Sequence, residues 1–96
     1  MHVLAVRFDL RLPGTRSLKQ KRAVVRPVVD GIRHRFGVSV AEVDHLEAWQ
    51  RAAVGVAVVA ASPGRAEEVV AAVERFVWSF PELEVIGTQR SWLDTA

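Results

Sequence analysis

LPGTRSLKQKRAVVRPVVDGIRHRF, residues 12–36, reads as a turn followed by a basic amphipathic helix, and the pairing of every other segment follows from it. Pro13-Gly14 interrupts the preceding extended segment. Ser17 can cap the helix by accepting a free N–H of the first turn, and Gln20 three residues on completes a capping-box pattern. At about 100° per residue, Leu18, Val25, Val28, Val29, Ile32 and Phe36 fall on one face. Lys19, Arg22, Arg26 and Arg33 form a stripe on one flank, whereas Lys21 falls in the apolar phase. Cations in a first turn oppose the helix dipole, at about 0.3–1 kcal/mol each. An anion from a partner or from an acidic side chain would offset that cost. Pro27 should cost about 3 kcal/mol inside a regular helix. Because it projects opposite the apolar stripe, the expectation is a kink around a sheet or, alternatively, a break near Arg26. Gly31 weakens the same helix further.

Upstream, His2 to Leu12 alternates, with Leu4, Val6, Phe8, Leu10 and Leu12 in one phase, as a strand with one buried face does. Downstream, Gly37 suits a helix C-cap. Val38 to Val43 reads as a second strand, Asp44 to Ala48 as a polar turn, and Trp49 to Ala61 as a third strand. Ser62-Pro63 starts a second helix, with Ser as cap and Pro at the first position. Ala66, Val69, Val70, Val73, Phe76 and Val77 form its apolar face, with Trp78 expected to close it against the core or a partner. Leu83 to Leu93 is the fourth strand, expected to be interrupted at Gly87, with Trp92 as an edge packing residue. The last residues are expected to fray.

The order β-α-β-β-α-β predicts an α+β, ferredoxin-like sandwich. Right-handed crossovers put both helices on one face of a four-stranded antiparallel sheet of order 4-1-3-2. In that topology the loop after the first strand and the turn before the third fall at one end. Arg11, Arg16, the first turn of the first helix, Trp49 and Arg51 should therefore gather at one corner.

Composition bounds the function classes. The 96 residues form a single domain, 1–96, and with 50% hydrophobic residues it can bury a small core. There is no Cys, so no disulfide framework and no thiolate chemistry. His2, His34 and His45 lack ligand spacing, and neither a metal nor a cofactor is expected. No apolar run is long enough to span a membrane and no leader pattern is present, so a cytoplasmic protein is expected. The net charge is only +2, but residues 1–35 carry nine Lys/Arg against two acids while residues 36–96 carry four against nine. Such asymmetry predicts a basic patch for an anionic partner, unless the two halves neutralise each other within the fold.

A helix N-terminus ringed by Arg and Lys is an anion site in outline. Arg51 would add a forked donor and Trp49 a stacking surface. The nucleic-acid-binding candidates are Arg11, Arg16, Lys19, Lys21, Arg22, Arg26, Trp49 and Arg51. The competing readings are a solvated basic face, a Trp49 that covers the hairpin end, and an Arg51 paired with Glu42, Asp44 or Glu47. Glu42 can equally pair with Lys21. The sheet face without helices should show Val3, Ala5, Arg7, Asp9, Arg11, Ala53, Gly55, Ala57 and Val59. It holds no aromatic, so base stacking on the sheet is not expected. A flat face of small residues fits a second subunit instead, and Ala5, Ala53, Gly55 and Ala57 are the candidate homodimer contacts. No paired catalytic groups or phosphate loop appear. Acylphosphatase-like chemistry on this fold needs an Asn, and the chain has none. A non-enzyme is expected.

At SLKQKR (Ser17 to Arg22) and WQRA (Trp49 to Ala52) the chain resembles the YlxP-like family of small bacterial proteins of unknown function. The resemblance runs from Val3 to about Arg90 and takes in RHRFGVSVAEVD (Arg33 to Asp44) and VGVAVVA (Val54 to Ala60). It implies a ferredoxin-like fold. Members are often encoded among genes for transcription, translation initiation and ribosome maturation, which implies by association a role at RNA or the ribosome. It implies no catalytic residue. The expected function is therefore RNA or ribosome binding through the basic helix, the alternative being a homodimeric interaction module using the open sheet face.

Overall fold

A computed structural model describes residues 1–93. The frayed end expected after Leu93 lies outside the described residues. Strand β1 (His2–Arg11) leads into helix α1 (Leu18–Phe36), followed by β2 (Ser39–Asp44), β3 (Arg51–Ala60), α2 (Pro63–Trp78) and β4 (Glu84–Leu93). The sheet is antiparallel in the order β2-β3-β1-β4, the expected 4-1-3-2 read from its other edge. Helix α2 packs on β1 and β3, and α1 packs on β2 and against α2. The alternation read in β1 and β3 sends Leu4, Val6, Phe8, Leu10, Ala52, Val54, Val56 and Val58 into the core with Val25, Val28 and Ile32 of α1.

The helix ends follow their signals. The Ser17 hydroxyl accepts from the Gln20 N–H at 3.1 Å, and Gly37 closes α1 at φ 62°. The Gln20 side chain reaches back one residue further than a capping box requires, accepting from the Arg16 N–H at 2.7 Å. Ser62 and Pro63 start α2 as expected. Helix α1 does not break near Arg26. Its 19 residues run through Pro27, which sits on the exposed side, where water can take the carbonyl left without a partner.

Gly31 has a packing reason. A Cβ there would stand 2.4 Å from Cζ of Phe76, so its absence lets the α2 ring lie on the α1 backbone. Phe76 also meets Phe36 and Phe80 edge-on, with Arg35 over its ring at 4.8 Å.

Two bulges were not expected. Glu42 pairs with Val54 and Asp44 with Ala53, so Val43 is an extra residue in β2. Val85 pairs with Leu10 and Gly87 with Asp9, so Ile86 is an extra residue in β4. The break expected at Gly87 is thus a bulge one residue earlier in a continuous strand, because pairing with β1 resumes on its far side. Trp78 does not close α2 against the core: it lies at the last position of the helix and is 64% exposed.

Candidate functional site

The β1–α1 loop is stitched to the β2–β3 turn. Arg11 stands opposite Arg51 at the end of the β1–β3 ladder, and the Leu12 N–H donates to the Gln50 carbonyl at 3.0 Å. The buried Thr15 hydroxyl lies between the Leu12 carbonyl, at 2.8 Å, and the Trp49 carbonyl. With one proton it donates to one of them at a time. The Gln50 amide donates to the Thr15 carbonyl at 3.1 Å and to the Pro13 carbonyl at 3.4 Å. The N-terminal turn of α1 is therefore held beside residues 49–51. Sequence reasoning placed this corner but missed Thr15 and Gln50 as its fasteners. The signal for Gln50 lay in the WQRA motif; nothing in composition marked Thr15.

Arg16, Lys19, Arg22, Arg26 and Arg51 are exposed. Among the described residues none of these five side chains has an ion-pair partner. Lys19, Arg22 and Arg26 line one shallow groove with Ala23, Pro27 and Asp30. The first turn of α1 holds no acid, so nothing within it offsets the dipole against these cations. Arg11 is paired with Glu84 at 3.3 Å, both half exposed. Such a pair is worth about 0–1 kcal/mol, and a phosphate can compete for the guanidinium. Of the three acids expected to take Arg51, Glu42 is engaged by Lys21 and Asp44 by Arg7, and Glu47 forms no ion pair with it among the described residues. Trp49 is 54% exposed, and its backbone carbonyl is what the corner uses.

Lys21 is withdrawn from the candidate set. It is 2% exposed, with Nζ 2.8 Å from Glu42 Oε2 and donating to the carbonyl of His45. The carboxylate sits off the hydrogen-bond direction, so the contact with Glu42 is that of an ion pair, and the aligned bond goes to the carbonyl. The physical reason is its phase: Lys21 shares the buried side of α1 with Val25 and Val28. His45 itself has φ 58°, a left-handed turn residue whose carbonyl the ammonium fixes.

The open sheet face departs from the flat surface expected. Arg7, opposite Gly55, reaches across β3 to Asp44 on β2 at 3.1 Å and also binds Asp9 at 3.0 Å. The two carboxylates raise the Arg7 guanidinium above its ordinary value, Asp9 most strongly. The His45 N–H, first, and then Arg7 hold the Asp44 carboxyl below the usual carboxylate range. Val43 folds onto Gly55, where a Cβ would stand 2.9 Å from its Cγ1. Because the bulge turns both Val43 and Asp44 onto this side, Ala53 is fully buried and cannot be a subunit contact. Ala5 remains exposed and Ala57 half-buried, beside a shallow depression of about 450 Å³.

No group of three or more His, Asp or Glu comes together among the described residues, and no helix among them is long and apolar enough to cross a membrane. What the corner offers is several guanidinium and ammonium donors beside an indole. The model of a protein family of unknown function, DUF503, matches residues 3–90. The chain belongs to the DUF503 family. A curated relative of this DUF503 chain is the uncharacterized protein YlxP of Bacillus subtilis (strain 168), 37% identical over 76 residues, which cover 79% of this chain and 83% of the relative. The match to the YlxP-like family read from SLKQKR and WQRA is thereby shown. Among solved structures, the DUF503 chain is similar to a de novo designed protein with a ferredoxin fold. The TM-score is 0.56 at 10% identity, over 100% of this chain and 89% of the design. That likeness concerns the fold alone.

Proposed function

We propose that this DUF503 protein is a non-enzymatic binder of RNA, free or within the ribosome. It holds phosphates with Arg11, Arg16, Lys19, Arg22, Arg26 and Arg51 beside the exposed indole of Trp49. The observation that carries this reading is the set of five exposed cations without ion-pair partners among the described residues, around an acid-free helix start. Phosphates are the ligands for which such a surface is complementary, and a neighbouring indole offers a base a stacking partner. The test is fluorescence anisotropy with a ribosomal RNA fragment and a random RNA at two salt concentrations. Binding should fall steeply with salt through counterion release. A folded Lys19→Glu/Arg22→Glu variant should lose it. Equal binding by that variant would remove the corner from the reading.

A second reading has its own observation. Val59, Val3 and Leu93 form one row across β3, β1 and β4 on the open face, next to the Ala57–Ala5–Ser91 row, and Val59 and Leu93 are exposed. An apolar end of a sheet face fits a second copy of the chain. Light scattering at high concentration should then report a dimer that Ala57→Arg dissociates.

A further inference from the structure

Strand β2 is an edge of the sheet: it pairs with β3 on one side only. Its outer side is not bare. Helix α1 runs above it, and a groove of about 380 Å³ lies between them, floored by Val25, Val29 and Val40. Arg22, Arg26 and Arg33 stand along its helix wall. The acids of the groove are already neutralised within the fold, Asp30 by Arg33 at 3.2 Å and Glu42 by Lys21. Arg22 and Arg26 are left without carboxylate partners among the described residues. The Arg33 guanidinium also touches the Val40 carbonyl at 3.4 Å, so that carbonyl points off the edge, away from β3. In an antiparallel ladder the two backbone groups of one residue face the same way and the direction alternates. Val40 and Glu42 therefore both present N–H and C=O outward.

We propose that this groove takes an acidic peptide in extended conformation, added as a fifth strand on β2. The occupant is argued from charge and spacing together. Arg22 and Arg26 are one helical step of four residues apart, about 6 Å along the axis. Side chains on one face of a strand repeat at about 6.6 Å. Two carboxylates at alternate positions of an added strand thus match two guanidiniums on the wall, while its backbone meets the outward groups of Val40 and Glu42. The side chain between them points to the other face of the sheet, where a small or branched residue fits beside the strand. Such strand addition takes its affinity from main-chain hydrogen bonds and its specificity from alternate side chains. The bulge at Val43 limits the pairing register to Ser39–Glu42, so the peptide is short. The site is distinct from the RNA corner except for Arg22 and Arg26, and its main probe is a peptide.

The experiment is a titration of the nitrogen-15-labelled full chain with a capped pentapeptide alternating glutamate and valine, read as amide shifts and amide exchange. The expected result is saturable shifts at Val40, Ala41 and Glu42 and slowed exchange of the Val40 and Glu42 amides. Arg26→Glu should weaken binding at least about tenfold while leaving the spectrum of the free chain folded. The same peptide N-methylated at alternate amides should lose binding with its charge intact. Equal binding by the N-methylated peptide or by a lysine–valine peptide would overturn the proposal. So would oligouridylate shifting the same amides more strongly than the peptide. Concentration-dependent shifts of these amides without peptide would assign the edge to a second copy of the chain and overturn it as well.

Discussion

Nζ of Lys21 lies 2.8 Å from Oε2 of Glu42, joining the buried side of α1 to the core side of β2. This contact divides the basic residues of the SLKQKR motif into two kinds. Lys19 and Arg22 face solvent, whereas Lys21 fastens the β2–β3 turn to the helix start. Removing one partner of a buried pair leaves an uncompensated charge, which costs about 3–5 kcal/mol. Glu42 is partly exposed, so the lower end of that range applies to Glu42→Ala. Lys21→Met keeps the packing volume, and the freed carboxylate can turn to water. It also takes the donor from the His45 carbonyl, so it should cost about 1–3 kcal/mol, less than Glu42→Ala. Urea unfolding of both single variants and the double would show the order, with the Lys21→Met/Glu42→Ala double less destabilised than Glu42→Ala alone.

Gly31 and Phe76 make the second prediction. Alanine is favoured over glycine inside a helix by about 1 kcal/mol. Here Gly31→Ala should nonetheless destabilise the protein, because the new Cβ would fall 2.4 Å from the Phe76 ring. The ring cannot swing freely, being held edge-on by Phe36 and Phe80. Overpacking of this kind costs about 1–3 kcal/mol. Phe76→Leu in the same background should make Gly31→Ala less harmful. Thermal denaturation of the four proteins of that cycle is the check.

The Asp44 carboxyl, held low by the His45 N–H and by Arg7, predicts a dependence on acid. A depressed folded value means that the charged form is favoured by folding. The stabilisation is present above the unfolded carboxylate value of about 3.9 and is lost as pH falls through the lower folded value. Asp44→Asn removes that component. The stability difference between wild type and variant should be largest near neutral pH and shrink in acid. Urea midpoints measured at neutral pH and below the carboxylate range would show convergence, and a constant gap would contradict it.

These three predictions also mark where the sequence was legible. Alternation along β1 and β3, the Ser17, Gly37 and Ser62 signals and the element order carry local information, and the topology follows from them. The corner at Arg11, Arg16, Trp49 and Arg51 followed from topology alone. The bulges at Val43 and Ile86 did not, since one extra residue in a strand leaves the composition unchanged, yet the first buries Ala53 and carries Asp44 to Arg7. The phase of Lys21 was readable, but its burial depends on Glu42, twenty-one positions away on another element. Gly31 looked like a weakness of α1 because the Phe76 ring that requires it belongs to α2.

The last prediction uses Lys21 as an internal control for the RNA reading. If phosphates are held by the exposed cations, Arg22→Met should lower RNA affinity and reduce the slope of log affinity against log salt by about 0.7, the share of one contact on a single strand. Lys21→Met removes a positive charge from the same helical turn but from a buried position, so the slope should stay that of wild type. Trp49→Phe should retain affinity where Trp49→Ala loses about 1–3 kcal/mol of stacking, with the salt slope unchanged in both. A general electrostatic attraction to the basic half of the chain would behave otherwise. It would respond to charge removal wherever it is made, and it would be indifferent to Trp49. Anisotropy titrations of these four variants at several salt concentrations separate a built site from such an attraction, because only the site distinguishes Lys21 from Arg22.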